Sequence, residues 1–453
     1  MNGPDTGAGS PRLFAVAADS EELLTALLYA HLDRIRAGRS LPSLARYCHD
    51  AATGTAGTHR VAFAVASYAE LAQQLQAVCA GESERVPAEV AARRPRLVFV
   101  FAGQGAQWYG MGRELLAAEP VFRQTLHQCD AFVREFAGFS AVEQLGLPEE
   151  TARLGELDVL QPTMVSLQIA LTALWRSWGV TPDAVVGHSM GEIAAAHTAG
   201  ALTLRDAMMI ACRRSALLRR IAGKGALAVT ELPPAEARAV AEASGGTISV
   251  AGENSPRSTV LAGDARSLAE LVGELERRDV YCRVIKGTVA SHSHYVEELR
   301  EDLRTALQSL HPTATDVPMY STVTAEPVPG TGLGPAYWMR NLREPVRLAA
   351  ATQNLAAAGH EVFVEVSAHP VLLSPLRQTL EHGERPGWLL PSGRRREEHR
   401  SMLSSLGALY ACGREPDWAV LYPGGPAASL TPYQAAVIEA ARRPRPVPTA
   451  ALA

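Results

Sequence analysis

A serine set between two glycines, Gly187-His-Ser-Met-Gly191, follows the apolar pair Val185-Val186 and precedes the alanine-rich helical pattern Glu192-Ile-Ala-Ala-Ala-His197. Strand, tight turn and helix in that order make a nucleophile elbow. The flanking glycines lack the Cβ atoms that would collide in so sharp a turn, so Ser189 can project its hydroxyl. The Met190 amide and the positive end of the helix dipole then face the place where a tetrahedral intermediate carries its negative oxygen. The same five-residue pattern also occurs as an ordinary turn, and the strand before it and the helix after it are what favour the catalytic reading.

A serine hydroxyl needs a base, and the chain offers 13 histidines. His188 adjoins the serine, but a neighbour in so tight a turn points away. His292, in Val289-Ala-Ser-His-Ser-His294, sits where a strand gives way to a loop among small residues that leave room for an imidazole; the alternative is a surface histidine. No Asp or Glu stands out as the third member of a hydrolase triad, and a main-chain carbonyl can fix the tautomer instead. One of the paired Arg213 and Arg214 can lie on the cleft side of its helix, where its rigid fork would hold a substrate carboxylate in two places; the alternative is solvation. Gly103-Gln-Gly105 lacks the ending of a phosphate loop. Gln104 reads either as a hydrogen-bond donor facing the cleft at the carboxyl end of a strand or as a turn residue.

These residues need a frame. Arg96-Leu-Val-Phe-Val-Phe101 is apolar after its first residue, the pattern of a parallel strand buried on both faces. Helical patterns at 119–134 and 161–178 lead to the elbow, and Thr203-Leu-Arg-Asp206 resembles a capping box starting a helix that runs to about residue 222. From 225 to 288 the order is strand, helix, strand, strand, helix, strand (226–231, 235–243, 247–251, 259–262, 267–278, 281–286), which describes a ferredoxin-like unit inserted into the larger domain. Its last strand delivers His292. A helix at 296–310, a strand at 319–323, a helix and the apolar strand 361–366 complete the large domain. A helix at 394–413 precedes a proline-rich tail expected to pack back over earlier surface. Ahead of all this, 11–95 reads as a small α/β unit: strand 13–18, helices 21–38 and 41–52, strand 59–67 and helix 68–81, then a charged, proline-bearing connector.

At 453 residues the chain exceeds one ordinary domain, so a large core with smaller attachments is expected. A net charge of -4 gives no reason to expect a nucleic-acid partner. The six cysteines form no Cys-x-x-Cys pair and lie mostly in apolar stretches, which argues for reduced core thiols in a cytosolic protein and against a metal site or a disulfide framework. The first residues lack the regions of a signal peptide and no apolar run reaches spanning length, so neither export by that route nor a membrane is expected.

Taken in order, Gly103-Gln-Gly-Ala-Gln107, Gly187-His-Ser-Met-Gly-Glu192, Val289-Ala-Ser-His292, Tyr337-Trp-Met-Arg-Asn-Leu-Arg-Glu-Pro-Val346 and Phe363-Val-Glu-Val-Ser-Ala-His-Pro370 resemble the acyltransferase domain of modular type I polyketide synthases, related to the malonyl transacylases of fatty-acid synthesis. The resemblance implies a linker domain following a ketosynthase at 11–95, an α/β hydrolase-like parallel-sheet core at 96–224 and 289–390, the ferredoxin-like subdomain at 225–288, and a post-acyltransferase linker and tail at 391–453. It also implies Ser189 as the acylated nucleophile, His292 as its base, Arg214 as partner of the extender carboxylate, Gln104 and the Met190 amide at the oxyanion hole, and a main-chain carbonyl of Asn341 on the histidine. The implied substrates are an acyl-coenzyme A and the phosphopantetheine thiol of an acyl carrier protein, with a neighbouring ketosynthase and no bound cofactor or metal. A serine hydrolase or thioesterase and an inactive docking scaffold are the rival readings. The tail, Leu430-Thr-Pro-Tyr-Gln434, follows the family ending only loosely.

The resemblance extends to the extender unit. Leu157-Asp-Val-Leu-Gln-Pro162 resembles the version in transferases for methyl-branched units, and Ser291 stands where malonyl-selecting members carry Phe. Val289 replaces the usual Tyr of methylmalonyl members and Met190 their common Gln, changes that enlarge or soften a pocket. With Ala290 and Ser291 these residues are expected to set selectivity. Methylmalonyl, ethylmalonyl or longer alkylmalonyl groups are expected ahead of malonyl, the alternative being neutral apolar exchange in an ordinary methylmalonyl enzyme.

Overall fold

Arg12–Ala18 (β1) and His59–Val65 (β2) pair antiparallel over their full length, and the apolar run Leu13 to Ala18 is buried on both faces. The helices Glu21–Ala37, Leu44–Thr53 and Tyr68–Cys79 each start on a serine whose side chain accepts an amide of the first turn, Ser20, Ser43 and Ser67. Their apolar stripes meet Phe14, Val16 and Val65 in one core. The computed structural model describes residues 9–38, 41–82, 86–285 and 289–423, so the expected packing of the proline-rich tail lies outside the described residues. This first unit comprises the described residues up to Pro95, Ser177–Val180 and those from His399 on. Within it Arg400 pairs with Glu70, Arg414 donates to the Pro95 carbonyl at 3.0 Å, and the Tyr422 hydroxyl donates to the Leu13 carbonyl.

The second unit, Arg96–Arg176 and Thr181–Glu398, holds the remaining strands. They are β3 (Arg96–Phe101), β4 (Ala184–Gly187), β5 (Ala226–Thr230), β6 (Ile248–Ser255), β7 (Ser258–Gly263), β8 (Cys282–Ile285), β9 (Met319–Tyr320), β10 (Pro327–Val328), β11 (His360–Val366) and β12 (Trp388–Pro391). One sheet runs β10-β9-β4-β3-β11-β12, parallel from β9 to β12 with the short β10 antiparallel at its edge. Leu97 to Phe101 have no exposed surface, as an uninterrupted apolar run in the middle of a covered parallel sheet requires. The insertion forms its own antiparallel sheet in the order β6-β7-β5-β8, with its first strand internal and its last at the edge, the ferredoxin-like arrangement.

Several elements differ from expectation. The helix Leu157–Ser177 begins before 161 and takes Pro162 into its first turns. It is long and apolar enough to cross a membrane, contrary to the expectation that no run is; 83% of its most apolar window is buried inside the protein, so the apolarity serves the core. The segment expected as one helix at 296–310 is a 3-10 turn, His294–Leu299, and then an α-helix, Arg300–Ala306. Five of the six cysteines are buried and Cys79 is half-buried.

Candidate active site

Sterics at two glycines force the elbow between β4 and the helix Gly191–Thr198. A Cβ on Gly187 would lie 2.3 Å from the Glu192 amide nitrogen, and one on Gly191 would lie 2.3 Å from the Phe101 carbonyl oxygen, so only hydrogen fits at either place. Between them Ser189 adopts φ 53°, a left-handed conformation that side chains normally avoid. Its carbonyl accepts from the Glu192 amide at 3.0 Å and from Asn341 Nδ2 at 3.1 Å, contacts that hold the strained turn. Behind it Glu192 is fully buried. Its Oε1 accepts from the Thr322 amide at 2.5 Å and hydroxyl at 2.9 Å, and its Oε2 from the Tyr337 hydroxyl at 2.7 Å and Asn341 Nδ2 at 2.8 Å. Burial pushes the Glu192 carboxyl above its ordinary value against these hydrogen bonds.

Ser189 Oγ lies 2.9 Å from His292 Nε2, and His292 Nδ1 lies 2.7 Å from the Glu344 carbonyl oxygen. A carbonyl only accepts, so the proton belongs on Nδ1 and Nε2 offers its lone pair to the hydroxyl. Burial, and next the charge of Arg214, lower the His292 pKa to about 3, so the ring is neutral at pH 7 and free to take a proton. Its backbone is also left-handed, at φ 59°, and its amide donates to the Leu342 carbonyl at 2.9 Å.

The carbonyl on the histidine is therefore that of Glu344, which corrects the expectation for Asn341. Asn341 lies inside the helix Pro335–Arg343, where carbonyls run along the axis. Glu344 precedes Pro345, which disfavours helical geometry, and its φ -79° and ψ 156° turn the carbonyl out towards the ring. Asn341 contributes its side-chain amide to Ser189 and Glu192 instead.

The two arginines part company on the helix Leu204–Arg219. Arg214 falls on the buried face with Ile210 and Leu218, at 1% exposure, whereas Arg213 is exposed and lies over the Phe136 ring at 5.8 Å. Arg214 Nη1 donates to Gln161 Oε1 at 2.9 Å and Nη2 to Ser189 Oγ at 3.2 Å, while Nε has no partner among the described residues. Burial lowers its pKa to about 10, opposed by the charge of Glu192, so it remains a cation at pH 7. No carboxylate among the described residues is hydrogen-bonded to it. A buried guanidinium with an unused donor beside a hydroxyl is equipped to receive an anion.

A cavity of about 340 Å³ opens beside these groups. Gln104, Met190, Val289 and Ser291 line it, together with Leu227 and Val229 of β5, Val260 of β7 and Ile285 of β8, so the insertion supplies an apolar wall. Ala290, expected among the selectivity residues, is not in this lining: its methyl is buried 2.8 Å from where Gly225 would carry a Cβ, at the centre of a tight turn in which the Ser291 amide donates to the Val289 carbonyl at 2.7 Å. Three contributors escaped the sequence reading. Gln161, the Arg214 partner, is a polar residue in an otherwise apolar helix, which is a usable signal. Asn254 Oδ1 lies 2.9 Å from His188 Nε2 and ties the elbow to β6, a pairing that no local pattern announces. Pro345 is the mark of the Glu344 carbonyl. The same segment bridges to the insertion, with the Val346 amide donating to the Ala251 carbonyl at 2.9 Å. Among the described residues no cluster of His, Cys, Asp and Glu is placed to hold a metal ion.

The family model described as the acyl transferase domain matches residues 98–411. The chain is 41% identical over 377 residues to the spectinabilin polyketide synthase system protein NorA' of Streptomyces orinoci, covering 83% of this chain and 10% of that protein. It is 41% identical over 368 residues to a mycocerosic acid synthase-like polyketide synthase of Mycobacterium tuberculosis, covering 81% and 17%. The chain thus spans a small fraction of the length of these relatives. The acyltransferase domain from module 8 of the salinomycin polyketide synthase superposes with a TM-score of 0.83 at 33% identity, over 91% of this chain and 98% of that one. A serine elbow with a neutral histidine and a buried arginine, on a parallel sheet carrying a ferredoxin-like insertion, is thus joined by a match along most of the sequence: the chain belongs to the acyl transferase domain family, among the acyltransferase domains of modular polyketide synthases.

Proposed function

We propose that the protein loads an α-substituted malonyl unit from coenzyme A onto Ser189 and passes it to the phosphopantetheine thiol of an acyl carrier protein. The observation that carries this reading is the placement of one hydroxyl within hydrogen-bond reach of both a neutral imidazole and a buried guanidinium that is hydrogen-bonded to no carboxylate among the described residues. In the first step Ser189 Oγ attacks the thioester carbonyl and gives its proton to His292 Nε2; the carbon–sulfur bond breaks and the departing thiolate takes that proton. In the second step the carrier thiol gives its proton to His292 and attacks the serine ester, which restores the hydroxyl. The Met190 amide and Gln104 stabilise the oxyanion, Arg214 holds the extender carboxylate, and the Glu344 carbonyl keeps the histidine in the required tautomer.

Met190, Val289 and Ser291 border the α-carbon and favour methylmalonyl, ethylmalonyl or longer alkylmalonyl over malonyl, because no aromatic side chain stands at these positions. Residues 11–95 and 391–453 serve as the linkers that join the transferase to a ketosynthase on one side and to the next domain of a cytoplasmic synthase on the other. Intact-protein mass after mixing with methylmalonyl-coenzyme A tests the reaction: a persistent acyl adduct supports transfer, rapid release of free acid supports a hydrolase, and no change supports a scaffold. Competition between malonyl-, methylmalonyl- and butylmalonyl-coenzyme A tests the pocket, since a malonyl preference overturns the branched reading and exclusion of butylmalonyl overturns the enlarged one.

A further inference from the structure

A second cavity, of about 570 Å³, adjoins the first and shares Gln104 and Gln107 with it. Its lining also includes Arg395 and Arg396, with Glu149 and Tyr109. Arg394, Arg395 and Arg396 are consecutive and exposed, and no ion pair or side-chain hydrogen bond engages any of them among the described residues. A free arginine run on a surface is ordinary; this one is held in place. At one end of its turn the Ser392 amide donates to the Glu365 carbonyl at 2.9 Å, and the Ser392 hydroxyl accepts from Trp175 Nε1 at 2.9 Å. At the other end the buried Glu398 accepts the Gly112 amide at 2.6 Å. Gly393 between them packs so closely that a Cβ would lie 2.9 Å from the carbonyl oxygens of both Ser367 and Ala368. Arg396 itself is locked at φ 63°. The field of the run extends to half-buried His369, whose pKa is lowered by burial and then by Arg395 and Arg394. The acidic groups nearby are Glu149 in the lining and, in the turn, exposed Glu397 and buried Glu398, whose pKa burial raises to about 7, so the charge of the three arginines is only partly offset.

The geometry points to a phosphate site. If the Ser189 cavity takes the thioester, as proposed above, the substrate must continue out of it, and both the donor and the acceptor carry their sulfur on a pantetheine arm that ends in a phosphate ester. We propose that the second cavity receives the phosphorylated end of that arm, with Arg395 and Arg396 donating to its phosphate oxygens across the Gln104–Gln107 loop. A clamped turn presents both arginines without first losing loop freedom, so binding such a group costs only the ordering of the two side chains.

The test compares wild type with the double variant Arg395→Gln/Arg396→Gln, and with Arg394→Gln, which lies off the cavity. Acylation is followed from methylmalonyl-coenzyme A and from methylmalonyl-pantetheine, which lacks the phosphate; discharge is followed to phosphopantetheine and to pantetheine. The double variant is expected to raise KM for the phosphorylated partner by about tenfold, the range of charge-assisted hydrogen bonds at an exposed site, with kcat, the pantetheine reactions and the thermal midpoint unchanged. A deficit confined to acylation assigns the site to coenzyme A, and one confined to discharge assigns it to the carrier's phosphodiester. Equal change with phosphorylated and unphosphorylated partners, no change with either, or an equal loss in Arg394→Gln would overturn the proposal. Failure of the wild type to acylate from either thioester would overturn the acyl-transfer reading itself, a separate result.

Discussion

Replacing Arg214 with alanine removes the one cation that faces the Ser189 hydroxyl at hydrogen-bond distance among the described residues. The guanidinium is 1% exposed and its Nε has no partner among the described residues, so a bound carboxylate would be a desolvated charge pair. Breaking such a pair costs about 2 to 5 kcal/mol, which lowers kcat/KM for methylmalonyl-coenzyme A by roughly 30- to 5,000-fold. Propionyl-coenzyme A has the same methyl-bearing α-carbon without the carboxylate and should lose nothing, because for it the buried cation is only a cost. The substitution also removes the second largest influence that depresses the His292 pKa, so the acid limb of the pH profile should move towards neutrality. The assay is the initial rate of Ser189 acylation by quenched mass spectrometry, with both thioesters and from pH 3 to 8, a range that includes the acid limb set by a histidine pKa of about 3. Equal losses for the two substrates would refute the clamp and leave Arg214 a structural residue tied to Gln161. An unshifted pH profile would refute the electrostatic coupling to the histidine.

Gly187→Ala should destabilise the second unit by at least the ~1 to 3 kcal/mol of overpacking, since the new methyl meets the Glu192 backbone at 2.3 Å; the denaturant midpoint reads it, and an unchanged midpoint would contradict the steric account. His31 is buried with its pKa lowered to about 3, chiefly by burial, so the folded state refuses a proton that the unfolded chain accepts. Its contribution is present above the unfolded pKa of about 6.5 and declines by about 1.4 kcal/mol per pH unit as pH falls from there to 3; urea titrations at pH 7 and 5 should show a smaller loss in His31→Gln, and an identical loss would count against it. Ser291→Phe should shift the preference towards malonyl by the ~1 to 3 kcal/mol that such pockets discriminate, read by competition between coenzyme A esters, with undiminished butylmalonyl uptake as the contrary result.

How far the site was legible depends on whether its geometry is local. Gly187 and Gly191 announce the elbow because the clash they avoid is with residues a few positions away or on the adjacent strand. The choice between Arg213 and Arg214 was not present in the helical period, since Arg213 lies between Met209 and Leu217 just as Arg214 lies between Ile210 and Leu218; the resemblance pointed to Arg214, and the packing of the helix buries it. The histidine's carbonyl is a different case: the motif pointed to Asn341, yet Pro345 decides where the helix must end and therefore that the Glu344 carbonyl turns outward. The pairing of His188 with Asn254 joins residues 66 apart through the packing of the insertion on the core, and nothing short of the tertiary fold displays it. In the fold itself, the continuous apolar strands and the insertion's strand order were readable, whereas the membrane-length apolar helix shows that composition does not distinguish a core from a bilayer.

A chase of the acyl enzyme tests the transfer itself. The protein is loaded with methylmalonyl-coenzyme A, the modified peptide is located by mass spectrometry, and phosphopantetheinylated carrier protein is added. The acyl group is expected on Ser189, leaving for the carrier thiol faster than for water, with no adduct in Ser189→Ala. An adduct on another residue, an acylated Ser189→Ala protein, or discharge at the same rate with and without carrier would overturn two-step transfer through this serine.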